Sequence, residues 1–141
     1  MGQPRPKRLQ YEAWIDDKGA IGAGADAVAL GQEWSAESLV LAGLLRCSLT
    51  SLHYHARRKG IRGVRGRGEA SAVVTKRESD GRYAFVEIEA RLVLEIDSAP
   101  PEQQLAELLA IAERDCFVGA SLTVAPTYRW RVNGRPIASA R

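Results

Sequence analysis

Residues 35–47, with the sequence SAESLVLAGLLRC, carry the most informative pattern of the chain. The first residue is a serine, which is suited to cap a helix, and Glu37 falls in the first turn, where the helix dipole favours negative charge. Residues 39–45 are apolar on every side, which is typical of a buried helix. The pattern predicts one long buried helix that carries Cys47 near its middle and stops at Gly60.

Strands are predicted on both sides of this helix. Residues 9–15 alternate roughly between apolar and polar side chains, and residues 16–19 form a turn signal. Residues 22–29 are expected to hold a short second strand and a loop. After the helix, residues 69–77 and a long return strand are expected to form a hairpin around the turn at residues 79–81. The return strand has one apolar face, made of Val86, Ile88, Ala90, Leu92, Leu94 and Ile96.

A second helix is predicted after Pro100-Pro101, because proline is favoured in the first turn of a helix. Its apolar residues recur with the helical period, and Cys116 is in phase with them, so we expect Cys116 to continue the apolar face of this helix. A last strand is expected over residues 122–132, followed by an Asn133-Gly134 turn. Two helices combined with antiparallel strands predict an α+β fold.

The length and composition are those of one ordinary globular domain. The chain has 141 residues, of which 45% are hydrophobic and 26% charged, and this excludes disordered and collagen-like classes. We expect a single domain over residues 1–141, with residues 1–8 as a flexible tail. No stretch is long enough to cross a membrane, and no export signal is evident. The expected location is therefore the cytoplasm, where both cysteines start out reduced.

The charge pattern bears on nucleic-acid binding. The formal net charge is +3, and the densest basic stretch, residues 57–67, has no aromatic side chain on which a base could stack. We interpret this stretch as a solvated helix end followed by a loop. An RNA-binding segment is the alternative, and it would show steeply salt-dependent binding.

The candidates for chemistry are few. His53 and His55 lie about 200° apart around a helix, so they cannot hold one metal ion together, and we expect no metal or cofactor. Cys47 has two open interpretations, a small buried apolar residue or a reactive thiol. The hydroxyls of Thr50 and Ser51 are expected to lie beside it, where they would stabilise a thiolate.

Residues 35–47 resemble the central-helix motif of the OsmC-like proteins, which include the organic hydroperoxide resistance proteins. In that motif a Glu-x-Leu is followed by small apolar residues and a cysteine ten positions after the glutamate, as in Glu37 and Cys47. Residues 108–118, with the sequence LLAIAERDCFV, are similar to the family's second cysteine region, with Phe117 where the family usually has proline. The resemblance implies an OsmC-like fold, with antiparallel sheets packed around two main helices, in an intertwined homodimer.

The resemblance also implies a function, that of a thiol peroxidase acting on organic hydroperoxides or hydrogen peroxide. Cys47 would attack the peroxide and become a sulfenic acid, and Cys116 would then close a disulfide with it. An external dithiol would reopen that disulfide. The alternative is a non-catalytic OsmC-like scaffold that binds an apolar small ligand.

The family places an arginine beside the first thiol, held by the glutamate, and this sequence departs from that pattern. Lys18 is the only cation between Arg8 and Arg46. We therefore assign the cationic role to Lys18 and the orienting role to Glu37, although lysine cannot make the planar, bidentate contact of arginine.

Overall fold

The structure is a computed structural model that describes residues 2–140. The described residues divide into two compact units, with the boundary between Ala36 and Glu37. The first unit contains β1 (Trp14–Ile15), β2 (Ile21–Ala23) and β3 (Asp26–Val28). The elements that follow are α1 (Ala36–Arg58), β4 (Val64–Lys76), β5 (Tyr83–Ile96), α2 (Glu102–Arg114), α3 (Phe117–Ser121), β6 (Thr127–Val132) and β7 (Arg135–Ile137). This mixture of helices and sheets confirms the predicted α+β class.

The first unit is a small antiparallel meander in the order β1-β2-β3. Its first strand is shorter than residues 9–15, since only Trp14–Ile15 pair with a neighbour. The predicted turn at residues 16–19 is present, because the carboxylate of Asp16 accepts hydrogen bonds from the backbone N–H groups of Lys18 and Ala20, both at 2.9 Å. These bonds hold the turn closed without help from a long strand.

The long helix is confirmed, but its first half is less buried than predicted. α1 begins directly after Ser35 and ends at Arg58, close to Gly60, whose φ of +73° suits a residue without a side chain. The apolar residues 39–43 are only half-buried. The fully buried positions follow a single stripe, namely Leu44, Ser48, Ser51, Leu52 and Ala56. One side of α1 therefore faces the core, while the rest keeps an apolar surface that this chain leaves partly uncovered.

The main sheet has the order β4-β5-β6-β7. β4 and β5 form the predicted antiparallel hairpin, and β5 buries alternate residues from Ile88 to Ile96, as its pattern predicts. The basic stretch 57–67 differs from the prediction of a helix end and a loop, because β4 begins at Val64 and includes Arg65 and Arg67. β7 was not predicted, but the turn before it was, with φ of +50° at Asn133 and +79° at Gly134.

The sheet is not antiparallel throughout. β5 pairs with β6 in parallel, with Glu89 opposite Thr127 and Leu94 opposite Val132. Parallel neighbours need a crossover connection of a dozen or more residues, and the segment that holds α2 and α3 provides it. The expectation of purely antiparallel pairing was therefore wrong at this one ladder.

Two glycines of β4 bring the long helix close to the sheet. A Cβ atom on Gly66 would lie 2.6 Å from Leu49 Cδ2, and one on Gly68 would lie 3.4 Å from Leu45 Cδ2. These leucines flank Cys47 in sequence, so their seating on the glycines fixes how the middle of α1 is placed.

The second helix begins at Glu102, as the prolines predict, and buries Leu105, Leu108, Leu109 and Ala112. It ends at Arg114, so Cys116 does not continue its apolar face as predicted. Cys116 instead precedes α3 in an extended conformation, with φ −74° and ψ 111°. No helix in the described part of the chain is long and apolar enough to cross a membrane.

Candidate functional site

The buried thiol of Cys116 lies at the junction between α2 and α3. It has no exposed surface and packs in a small cluster with Leu44, Ile88 and Ala90. Two hydrogen-bond donors point at its sulfur. The backbone N–H of Gly119 lies 3.4 Å from Sγ, and the hydroxyl of Ser48 lies 3.5 Å from it. A completely buried thiol is thus surrounded by apolar atoms on one side and by two donors on the other.

Cys47 lies on α1, is partly exposed and meets the same short helix. The backbone N–H of Val118 donates to its Sγ at 3.5 Å. Its side chain packs against the cluster that contains Cys116, and neither cysteine is in a disulfide. The fold therefore brings together the two cysteines that the sequence singled out, one on the long helix and one on the crossover.

Burial is the main influence on the ionisation of Cys47. It raises the pKa of this thiol above its ordinary value of 9.0, while the Val118 N–H acts in the opposite direction. The Cys116 side chain raises the pKa further. The second unit therefore holds Cys47 mainly as a thiol, and only backbone donors favour its thiolate.

The structure adds a pair of hydroxyls that sequence reasoning missed. Ser48 Oγ lies 3.2 Å from Tyr128 Oη, across 80 positions in the chain. Ser48 is fully buried, and the ring of Tyr128 stacks on Trp130 with 6.0 Å between ring centroids. Burial raises the pKa of Tyr128 far above its ordinary value. No local pattern links these residues, although Ser48 directly follows Cys47 and is turned about 100° from it around the helix.

The hydroxyls that were predicted to serve Cys47 are engaged elsewhere. Thr50 Oγ1 donates to the carbonyl of Arg46 at 2.9 Å, and Ser51 Oγ donates to the carbonyl of Ala112 at 2.8 Å. Both hydroxyls therefore donate to backbone carbonyls and not to Cys47 as predicted. The sulfur of Cys47 accepts a hydrogen bond from the backbone N–H of Val118 instead.

The two charged candidates lie in exposed positions. Glu37 is exposed in the first turn of α1, about ten residues or 15 Å along the helix from Cys47. Lys18 is exposed in the turn between β1 and β2 of the first unit. Their roles beside the thiol stay predictions.

The segment before Cys116 is held by a polar contact between a histidine and an aspartate. His55 Nε2 on α1 lies 2.9 Å from Asp115 Oδ2, one residue before the buried thiol. Arg114, and to a smaller extent His55, lower the pKa of Asp115. Within residues 2–140 no group of three or more histidine, cysteine, aspartate or glutamate side chains is arranged to hold a metal ion.

Comparisons with known proteins agree on one family. The family model described as OsmC-like protein matches residues 29–131. An OsmC-like protein from Mycoplasma pneumoniae has a similar structure, with a TM-score of 0.67, 13% identity, and coverage of 91% of this chain and 99% of that chain. The organic hydroperoxide resistance protein OhrB of Bacillus subtilis gives 0.60 at 18% identity, covering 87% and 98%.

A third similar structure is an organic hydroperoxide resistance protein OsmC from Legionella pneumophila. It has a TM-score of 0.61 at 15% identity and covers 90% of this chain and 98% of that chain. No curated protein matches the chain significantly in sequence. At these identities the likeness to solved structures shows the fold.

Proposed function

Because the chain belongs to the OsmC-like family, we propose that it is a cysteine-based peroxidase that reduces organic hydroperoxides. The observation that carries this proposal is that two free thiols, one partly exposed and one buried, both lie against the start of α3. A peroxidase cycle with two cysteines needs this pairing, because the thiol that is oxidised first must be reachable by the second. Hydroperoxide resistance in the names of similar structures supports the same substrate class.

The first step oxidises Cys47. Its thiolate attacks the terminal oxygen of the hydroperoxide, an S–O bond forms, and the O–O bond breaks. The leaving alkoxide takes up a proton and departs as an alcohol, so the peroxide is reduced and the sulfur becomes a sulfenic acid. Cys47 suits this role because it is partly exposed, whereas Cys116 has no exposed surface.

The second step closes the disulfide. The sulfur of Cys116 attacks the sulfur of the Cys47 sulfenic acid, the S–S bond forms, and the S–O bond breaks. The leaving hydroxide combines with the proton released by Cys116 to give water. An external dithiol then reduces the disulfide by thiol–disulfide exchange and is itself oxidised to a disulfide. In the cytoplasm, where we place the protein, such reductants are abundant.

We assign the thiolate-stabilising charge to Lys18, oriented by Glu37, and we propose that the active protein is a homodimer. The helix separation of about 15 Å between Glu37 and Cys47 means that one straight helix cannot gather both into one compact site. The half-buried apolar residues 39–43 of α1 offer a surface for a second copy. A monomeric mass by light scattering at micromolar concentration would contradict the dimer.

The cycle is tested by one stoichiometric pulse of an organic hydroperoxide, followed by counting of free thiols. The wild type should lose both thiols together. Cys116→Ser should lose one thiol and accumulate a sulfenic acid on Cys47, and Cys47→Ser should lose none. Lys18→Ala should slow the first step without preventing the disulfide. Retention of both thiols in the wild type would favour the alternative, a non-catalytic scaffold for an apolar ligand.

A further inference from the structure

The second half of the cycle faces a physical obstacle at Cys116. This thiol is completely buried, so solvent water cannot stabilise negative charge on its sulfur during the attack. Attack on a sulfenic acid is nevertheless fastest from a thiolate. The neighbourhood of Cys116 must therefore supply groups that stabilise a negative sulfur.

The chain of contacts around this sulfur has a defined direction. A serine hydroxyl carries one proton, so when Ser48 donates that proton to Cys116 Sγ, its oxygen is left to accept one. The available donor is the phenol of Tyr128, at 3.2 Å. Tyr128 therefore donates a hydrogen bond to Ser48, and Ser48 donates one to Cys116. All three groups are at least partly buried, which strengthens such a chain relative to water.

The environment of Tyr128 keeps it a donor. Burial raises the pKa of its phenol, so the O–H is retained throughout the physiological pH range. Gly119 also leaves space for these hydrogen bonds. A Cβ atom at this position would lie 3.2 Å from Tyr128 Oη and 3.5 Å from Cys116 Sγ. The same glycine donates its N–H to that sulfur, at 3.4 Å.

We propose that Ser48 and Tyr128 form a hydroxyl relay that activates Cys116 for disulfide formation. Ser48 acts as a catalytic residue because it touches the attacking sulfur, and Tyr128 acts as a positioning residue because it works through Ser48. The relay donates hydrogen bonds to the thiolate and is itself unchanged. The proton that Cys116 loses ends in the water formed from the leaving hydroxide. This inference rests on the proposed function, since it concerns the second step of that cycle.

The test compares Ser48→Ala and Tyr128→Phe with the wild type by rapid mixing with an organic hydroperoxide. Formation of the Cys47 sulfenic acid and its conversion to the disulfide are followed as separate phases. The first phase should keep its rate. The second should slow about tenfold at neutral pH in Ser48→Ala and about threefold to tenfold in Tyr128→Phe, because a hydrogen bond to a charged group is lost or weakened.

The pH profile separates a relay from a structural defect. Loss of a donor shifts the second phase to higher pH by up to about one unit, so both variants should approach the wild-type rate in alkaline solution. The matched control is Thr50→Ala, which removes a hydroxyl from the same helix that is bonded to the Arg46 carbonyl. This control should leave both phases unchanged.

An unchanged second phase in Tyr128→Phe and Ser48→Ala would overturn the relay. Equal slowing at every pH would also overturn it, because that result would point to misplaced packing. If the wild type forms no sulfenic acid, the proposed function fails, and the relay is then tested by thiolate absorbance in a Cys47→Ala background. There the pH at which the Cys116 thiolate appears should rise when Tyr128→Phe is added, and an unchanged pH would overturn the relay.

Discussion

Replacing Gly68 with alanine should destabilise the protein far more than the same change at Gly66. A Cβ atom on Gly68 would lie 2.6 Å from the backbone oxygen of Arg91, which belongs to the adjoining strand and is held in the ladder. A Cβ atom on Gly66 would meet Leu49 Cδ2 at 2.6 Å, but that atom is the end of a side chain and can rotate away. The same methyl group is thus added at both sites, but it meets a rigid backbone atom at Gly68 and a movable side chain at Gly66.

The expected magnitudes follow from two opposing effects. Alanine in place of glycine stabilises a protein by about 0.4–1 kcal/mol where the backbone allows it, because the unfolded chain has less freedom. Overpacking against atoms that cannot move costs about 1–3 kcal/mol. The free energy of unfolding should therefore change by less than about 1 kcal/mol in Gly66→Ala and fall by about 1–2 kcal/mol or more in Gly68→Ala.

Urea unfolding of the reduced protein, followed by tryptophan fluorescence, measures both changes on the same scale. Each variant acts as the control for the other, since both glycines lie on the face of β4 that meets α1. Equal losses in the two variants, or a greater loss in Gly66→Ala, would refute the reasoning. Either result would mean that the leucines of α1, and not the strand backbone, set the available space.

Three further predictions concern single groups. Oxidation of Cys47 should speed up about tenfold per pH unit between pH 7 and 8, because burial raises the pKa of its thiol and the thiolate is the nucleophile; a flat stopped-flow profile would contradict this. Arg114 and His55 lower the pKa of Asp115 in the folded protein. The ionised carboxylate therefore stabilises the fold at a pH above the pKa of the unfolded state, and this stabilisation is lost as the pH falls through the pKa of the folded state. Asp115→Asn should therefore destabilise the protein at pH 7 and lose its effect under acid conditions, and an equal urea midpoint difference at both pH values would argue otherwise. Asn133→Ala should lower the free energy of unfolding by about 2 kcal/mol, because Asn133 hydrogen-bonds both backbone groups of Ile96, at 2.8 and 3.0 Å, and adopts φ +50°. Asn133→Gly loses the same hydrogen bonds but tolerates the positive φ, so it should lower the thermal stability less.

Local patterns predicted the elements whose cause is local. The alternation in β5 and the helix start at residue 36 depend on residues a few positions apart, so sequence alone was sufficient for them. The turn at Asn133-Gly134 was equally visible, because few other residues accept positive φ. The pairing of Cys47 with Cys116 came from family resemblance and not from any periodicity.

The misses share a different cause, namely contacts between distant parts of the chain. Helical phase placed Cys116 on α2, but phase does not reveal where a helix stops, and α2 ends before Asp115. The parallel ladder of β5 and β6 depends on where a crossover returns to the sheet. The contact of Ser48 with Tyr128 joins two elements that carry no mutual signal in the sequence.

The parallel ladder makes α2 a spacer of fixed length. β5 ends at Ile96, whereas β6 begins at Thr127, which pairs with Glu89, seven positions earlier along β5. The crossover must therefore return about 23 Å along the strand direction. α2 has 13 residues and is about 20 Å long, which nearly matches that distance. A deletion within α2 would rotate and retract Cys116 together, by about 100° and 1.5 Å for each residue lost. Among homologous sequences, insertions and deletions should therefore occur in the loops at residues 97–101 and 122–126 and be absent from α2.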